Sequence, residues 1–404
     1  MKHPVKPPVI SATAYRRRWY HVPVKKPRAL LALPLILLVA TLGAACVSTE
    51  DPQGWAAPVF DGSNVYFLSS KDRLASAPAN ADPSTTVTWT FPDKNKAEDK
   101  DIKLQAVYGE PVVDGPNLYF SSYSGGVFAL DKATGRPKWR MKDEINGNVT
   151  GGVAVGGNFL AFGTTDDHLY VVNKNDKSPA PNWPAGGMKL DEGIWATPII
   201  KGDILYVATM GGVVRAFHLA DGSDAWAKPF NSSGAIVDMA FLGDDTLFAA
   251  SLNKHAYLLN PADGTSRGDF TASDWLWSQP AYDPQSHMAY FGDFSGMLYA
   301  VDITQTGALK ASWEVSLGAD RVKSAPAIVD NVLVVADRQP TVHFLDRQQS
   351  GKELNKVPVT GAGTIRADVV AHEGNAYIVT TSGKYFRADP KNYSVNEVTV
   401  GGRQ

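Results

Sequence analysis

The chain has 404 residues, of which 20% are charged and 10% aromatic, with 36 Gly, 26 Pro and a single Cys. One Cys excludes any intrachain disulfide, and abundant Gly, Pro and aromatic residues are typical of short strands joined by tight turns. The net charge of −2 includes eight Lys or Arg in residues 1–45, which hold no Asp or Glu; without those eight, 31 of the 39 cations remain against 41 anions, a net of −10. An acidic body does not attract phosphate backbones, so we expect no nucleic-acid partner.

The first 45 residues have the pattern of an export signal. A basic flank precedes seventeen uncharged residues, Ala29–Ala45, and small residues lead to Cys46. The apolar run is short for a membrane span, which needs about twenty residues. Cys46 resembles the lipidated Cys of a bacterial lipobox. We therefore predict a leader and signal segment over 1–45, lipid attachment at Cys46 and a tether over 46–54. The alternative is an uncleaved leader that remains as the anchor.

The rest of the chain is a repeat. Each copy has a short apolar strand, a turn with Gly, Asp or Asn and a second strand, as in PVVDGPNLYF from Pro111; the copies start at Pro58, Pro111, Gly152, Pro198, Met239, Pro280, Pro326 and Asp368. A third and a fourth strand follow in each copy. Because one such sheet cannot bury both faces, we predict an all-β, eight-bladed β-propeller of four-stranded antiparallel blades. It forms a single domain over 55–404, with an inserted loop at about 72–104; seven blades with one irregular unit is the alternative.

The fourth strand of most copies carries a large anchor side chain. In five copies it is Trp, at Trp89, Trp139, Trp183, Trp226 and Trp313; Phe270, Leu354 and Val398 hold the place in the others. A large ring leaving the outer strand can cover the turn of the next blade. We expect these five Trp side chains to dock neighbouring blades.

The repeat resembles the PQQ-like (quinoprotein-dehydrogenase-like) repeat family. Its fullest copy runs from Gly126 through Asp131 and Thr134-Gly135 to Trp139. Within that family, a lipobox followed by eight blades is most similar to the BamB family of outer-membrane assembly lipoproteins. The resemblance implies a non-enzymatic scaffold that binds protein partners of the barrel-assembly machinery. It also implies anchoring at the outer membrane, facing the periplasm, or on the extracytoplasmic face of the cytoplasmic membrane.

An enzyme is the competing interpretation. Quinoprotein dehydrogenases use the same repeat to hold PQQ, and resemblance to them implies a Cys pair, a Ca²⁺ site and a catalytic Asp. This chain has no Cys pair, and its Asp and Asn clusters fall in predicted turns. His168, His255 and His343 recur at equivalent places in separate copies, whereas metal ligands must converge on one ion. We therefore expect no catalytic residue, no metal and no cofactor, with a PQQ-binding or other small-ligand propeller as the alternative.

A partner would bind at one of two places. The residues entering the first strand of each copy include Trp55, Tyr108, Trp195, Trp277 and Lys323, with Arg366 beside the last entry. If that strand is innermost, these six side chains form a rim around the central channel; the alternative is that they only pack between blades. Aromatic and Arg side chains are typical interface anchors. The second place is an exposed outer edge, most open in the Trp-lacking fifth, seventh and eighth copies, where a partner strand could be added.

Overall fold

A computed structural model describes residues 54–70, 72–80, 87–124, 126–318 and 321–398. The chain divides into two compact units, Met1–Thr49 and Glu50–Gln404, and all described residues belong to the second. The predicted leader, Cys46 and nearly all of the tether lie outside the described residues. No helix in the described part of the chain is long and apolar enough to cross a membrane.

All the described strands belong to eight sheets, which confirms the predicted eight-bladed propeller. Numbered in chain order, four strands form each blade, except that the fifth blade gains one. The strands, blade by blade, are β1–β4 (Val59–Asp61, Asn64–Ser70, Arg73–Pro78, Trp89–Phe91), β5–β8 (Val112–Asp114, Asn117–Ser122, Gly126–Asp131, Pro137–Met141), β9–β12 (Ala154–Gly156, Phe159–Gly163, His168–Asn173, Met188–Lys189), β13–β16 (Ile199–Lys201, Ile204–Ala208, Val213–His218, Phe230–Asn231), β17–β20 with β24 (Ile236–Leu242, Thr246–Ser251, His255–Leu259, Ser266–Thr271, Gly307–Leu309), β21–β23 with β25 (Ala281–Asp283, Met288–Gly292, Met297–Asp302, Ala311–Ser316), β26–β29 (Ala327–Val329, Val332–Ala336, Thr341–Asp346, Lys352–Pro358) and β30–β33 (Val370–His372, Asn375–Val379, Tyr385–Asp389, Ser394–Glu397). Two 3-10 turns, Ala97–Asp99 and Arg347–Gln349, complete the regular structure described.

The order of strands within each blade follows the order in the chain, and all four are antiparallel to their neighbours. Tight hairpins between consecutive strands produce this order. In the first hairpin of the second blade, Asp114 pairs with Asn117, and Gly115 between them has φ +57°. A two-residue hairpin needs positive φ, which Gly adopts without steric cost. First strands of successive blades lie side by side, so they are the innermost strands and surround the central channel.

The hydrophobic core lies between the blades. Among the described residues, seven buried apolar clusters each draw side chains from adjacent blades, and together they join every neighbouring pair. The ring closes between the eighth and first blades by side-chain packing: Phe60 stacks on His372 at 3.9 Å between ring centroids, and Phe67 stacks on Tyr385 at 4.9 Å. Each blade thus buries both faces against its neighbours, as the repeat requires.

Three details differ from the sequence predictions. The predicted loop at about 72–104 contains β3 and β4, so the residues additional to a blade lie between these strands and after β4. The fifth blade does not have an open outer edge, because β24 pairs with β20 in parallel. Trp183 and Trp226 precede their fourth strands, which are only two residues long, and lie on irregular segments instead.

Candidate functional site at the channel mouth

The five repeated tryptophans lie against the following blade. The indole Nε1 of four of them donates a hydrogen bond of 2.8–3.0 Å to a carbonyl oxygen of the next blade: Trp89 to Lys132, Trp139 to Lys174, Trp183 to Leu219 and Trp226 to Pro261. The fifth, Trp313, covers Gly351 of the seventh blade so closely that an added Cβ there would lie 2.5 Å from the ring. These side chains are part of the architecture, and none of the five lines the central cavity described next.

The six rim residues, in contrast, all line one cavity at the channel. It has a volume of about 750 Å³ and receives Trp55, Tyr108, Trp195, Trp277, Lys323 and Arg366. The equivalent entry residues of the other three blades, Val149, Ile236 and Ile365, are buried at 2% exposure or less. There the next residue along the chain, such as Thr150 or Val237, lines the cavity instead. We call the six residues the rim.

Cation–aromatic contacts organise the rim. The Lys323 ammonium lies 3.7 Å from the ring centroid of Trp55 and 3.9 Å from that of Trp277, so two indole faces hold it from both sides. The guanidinium of Arg366 lies 5.6 Å from the Trp55 ring, and Tyr108 packs against Trp55 with centroids 4.2 Å apart. Such contacts are stronger when the cation is desolvated. Lys323 therefore joins the first, sixth and seventh blades at the mouth.

The aromatic surface continues outward beyond the rim. Trp277 stacks on Phe294 at 5.7 Å, Trp275 lies 6.0 Å from Phe294, and the Arg321 guanidinium lies 5.6 Å from the same ring. Trp195 and Trp275 are 40% and 47% exposed, the two large apolar side chains that stand out in the part of the chain described. The sequence interpretation missed Trp275 and Phe294. The alternation Trp275-Leu-Trp277, which places both rings on one side of an extended segment, was the available signal.

Three carboxylates, which we call the acid trio, line the same cavity and were also missed: Glu110, Asp238 and Asp368. Glu110 and Asp238 each stand one residue before their repeat starts, and Asp368 is itself a repeat start. A comparison of the entry columns of all copies could therefore have revealed them. The Asp238 carboxylate accepts hydrogen bonds from the amides of Met239 and Gln279 at 2.8 and 2.9 Å.

Asp368 is held in a similar way. Its carboxylate accepts a 2.6 Å hydrogen bond from the amide of Ala325 and a 3.4 Å bond from the side-chain amide of Gln279. Gln279 therefore connects Asp238 and Asp368 across the channel. Glu110 has no hydrogen bond or ion pair with any other described residue. The trio is accordingly an array of acceptors in which one member is unmatched.

Burial and mutual repulsion disfavour the charged forms in this cavity. Burial and the neighbouring Asp368 raise the pKa of Glu110 to about 7. Burial also raises the pKa values of Asp238 and Asp368, with Asp368 adding to the effect on Asp238. Burial and the nearby Arg366 lower the pKa of Lys323 to about 7, although the two indole faces favour its ammonium form. All four side chains are half-buried at the cavity, so a charged group that enters it would shift the pKa values of Glu110 and Lys323, which lie near 7.

The repeated histidines do not converge on one site. They lie at separate places in the third, fifth and seventh blades, and each has its own carboxylate: Asp166 for His168, Asp269 for His255, and Asp337 with Glu353 for His343. Among the described residues, no group of three or more His, Cys, Asp or Glu side chains is placed to hold a metal ion.

The fold and its channel define an eight-bladed β-propeller of PQQ-like repeats that opens at an aromatic and charged mouth. The family model described as outer membrane protein assembly factor BamB matches residues 56–183 and 182–396, and the chain belongs to that family. A relative with that name from Burkholderia pseudomallei (strain K96243) is 25% identical over 327 residues, which are 67% of this chain and 81% of the relative. The crystal structure of BamB from Moraxella catarrhalis has a TM-score of 0.63 at 15% identity and covers 82% of this chain and 93% of its own.

Similarity also reaches an enzyme class with the same repeat. Quinoprotein alcohol dehydrogenase PedH from Pseudomonas putida (strain KT2440) is 24% identical over 205 residues, which are 47% of this chain and 33% of that enzyme. The shared repeat accounts for a match of this extent, because it specifies blades and not their ligands.

Proposed function

We propose that this protein is a non-enzymatic, envelope-anchored scaffold that takes part in outer-membrane protein assembly and binds its partner proteins at the channel mouth. Membership of the BamB family supports the assembly role. The observation that carries the binding site is the rim itself, because Trp195 is 40% exposed beside a cavity of about 750 Å³. Trp and Arg side chains at the mouth of a cavity are the groups that most often supply binding energy in protein interfaces.

The partner site is tested by replacing two rim tryptophans together. In Trp195→Ala/Trp277→Ala we expect loss of co-purification with the barrel-assembly protein after mild crosslinking in envelope membranes, at an unchanged level of folded protein. Trp195→Phe/Trp277→Phe, which keeps an aromatic face at both places, is the matched control and should retain most of the capture. A correctly folded double Ala variant that captures its partner at the original level contradicts a binding role for the rim.

The anchor is proposed at Cys46. Lipidation there would hold the propeller at a membrane through its N-terminus, as the export pattern of residues 1–45 predicts. Cys46→Ser should move the protein to the soluble fraction of the envelope and abolish incorporation of labelled palmitate. Retention of the Ser variant in the membrane fraction, with the leader still attached, would favour the uncleaved leader as the anchor.

A PQQ-binding propeller is the second candidate, favoured by the similarity to quinoprotein dehydrogenases. The residues of the cavity do not fit that cofactor well. PQQ carries three carboxylates, and it would face Glu110, Asp238 and Asp368 across the same cavity, with Lys323 and Arg366 as the lining cations. Like charges brought together in a poorly solvated site repel one another. Purified protein that carries a bound quinone absorbance would overturn the scaffold proposal.

A further inference from the structure

The acid trio lines the same cavity as the rim, and its members follow the entry residues of three blades along the chain. Glu110 comes two residues after Tyr108, Asp238 two after Ile236, and Asp368 three after Ile365, so each follows its blade's entry residue. Both sets of side chains line the same cavity. A guest in the mouth can therefore contact aromatic faces and carboxyl groups together.

The trio offers acceptors for which the protein supplies too few donors. Two members receive the hydrogen bonds from Ala325, Met239 and Gln279, whereas the Glu110 carboxylate has no partner among the described residues. Ser278 lines the same cavity, is 4% exposed, and its hydroxyl is a buried polar atom without a hydrogen-bond partner in the described part of the chain. The Ser278 hydroxyl is fully buried, and buried polar groups are rarely left unmatched, whereas the half-buried Glu110 carboxylate reaches the cavity; together they indicate a guest that hydrogen-bonds here.

The charge of the cavity decides what kind of guest fits. Among the described residues, its lining holds three carboxyl groups and two basic side chains, Lys323 and Arg366. Lys323 is already held between the indoles of Trp55 and Trp277, which shows that the aromatic wall accepts a positive group. A guanidinium or ammonium provides donors for carboxylate oxygens and tolerates aromatic faces, whereas an anion has neither advantage.

From this arrangement we infer that the channel mouth receives a basic side chain, an arginine or a lysine on an extended segment of a partner protein. The cation binds the acid trio, and the rim contacts the backbone on either side of it. This inference rests on the proposed function of the rim as a protein-binding surface. The cavity of about 750 Å³ lies within the range of about 300–1,000 Å³ that is usual for binding sites, so a short peptide segment fits.

The test uses the full chain and three capped peptides that differ at one position, Ac-GSRSG-NH2, Ac-GSESG-NH2 and Ac-GSQSG-NH2. Titrations at low salt should show binding of the Arg peptide, detected by calorimetry and by tryptophan fluorescence, with little binding of the other two. Glu110→Gln should weaken the Arg peptide about tenfold, equivalent to about 1.4 kcal/mol. Added NaCl should weaken it further, because salt screens exposed charges. Glu314→Gln, on the exposed outer strand β25, is the matched control and should bind as before.

Several outcomes overturn the inference. They are binding of the Glu peptide as tight as that of the Arg peptide, unchanged affinity in Glu110→Gln, or no binding of any peptide. The proposed function of the rim is tested independently of this inference. If Trp195→Ala/Trp277→Ala abolishes partner capture while Glu110→Gln binds the Arg peptide normally, the rim remains the docking surface and only the basic guest is excluded.

Discussion

Two glycines at equivalent turn positions provide a sharp test of how the blades dock. Gly264 and Gly307, the second of which begins the edge strand β24 of the fifth blade, have φ angles of +75° and +74°. Gly264 lies under Trp226, and an added Cβ would be 2.4 Å from Cε3 of that ring. Gly307 has no atom within 4 Å of the same position, and no tryptophan covers it. Ala at either site adds one methyl group under the same backbone strain, so the difference between the two isolates the clash with Trp226.

The magnitude follows from two contributions. A residue other than Gly in the left-handed region costs about 1–2 kcal/mol, and this applies equally to Gly264→Ala and Gly307→Ala. At Gly264 the ring or the turn must also move by about 1 Å to restore ordinary contact, and overpacking of this kind costs about 1–3 kcal/mol. Trp226 is 4% exposed and its Nε1 is held 2.8 Å from the Pro261 carbonyl oxygen, so the ring has little freedom to shift. Gly264→Ala should therefore destabilise the protein by about 1–3 kcal/mol more than Gly307→Ala.

Urea unfolding followed by circular dichroism measures both variants against the original protein. The midpoint of Gly264→Ala should fall further, with an unchanged slope, because the folded surface is the same. In a Trp226→Ala background the extra cost of Gly264→Ala should disappear, as a double-mutant cycle would report. Equal losses for the two Ala variants, or an extra cost that persists without the indole, would refute the docking of Trp226 on this turn.

Two further predictions concern pH. The pKa of Glu110 is raised in the folded state from 4.5 to about 7, so this residue costs no stability below pH 4.5 and progressively more as the pH rises to 7. Glu110→Gln should therefore increase the free energy of unfolding by up to about 3 kcal/mol at pH 8 and leave it unchanged at pH 4. Thermal unfolding measures this, with Glu314→Gln as the control. Burial acts to lower the pKa of His343, but its hydrogen bonds to Asp337 and Glu353 outweigh this and raise it. The stabilisation is present below pH 6.5 and is lost as pH rises through the folded-state value, so His343→Gln should lower the melting temperature more at pH 6 than at pH 9. Equal losses at both pH values, or a similar pattern in the exposed His218→Gln, would contradict this reasoning.

The repeat explains why the fold was predictable from sequence. Hairpin residues such as Asp114 and Gly115 recur at fixed offsets, and a period-two strand next to such a turn leaves one pairing register. The Trp anchors were also visible by spacing. The position of these Trp residues relative to the strands could not be predicted, because Trp183 and Trp226 lie before fourth strands that are only two residues long. Strand length at an outer edge depends on side-chain pairing that the repeat does not specify.

The rim was predictable in part for the same reason. Entry residues one blade apart occupy equivalent places on a ring, so Trp55, Trp195 and Trp277 could be assigned to one mouth from spacing alone. The acid trio was not found, because only Glu110 and Asp238 share a repeat position and Asp368 lies one position later. Only the closed ring brings Glu110 of the second blade, Asp238 of the fifth and Asp368 of the eighth to one cavity.

The amino-acid sequence by itself determined the eight blades, their strand order and the tryptophans between them, since these depend on contacts between neighbouring repeats. Tertiary structure alone decided that Lys323 lies between Trp55 and Trp277, and that Glu110 faces a cavity without a partner among the described residues. The Lys323–Trp55 contact joins residues more than two hundred positions apart in the chain. Closure of the ring creates these contacts, and the sequence pattern of a single blade does not indicate which residues lie on the opposite side of the channel.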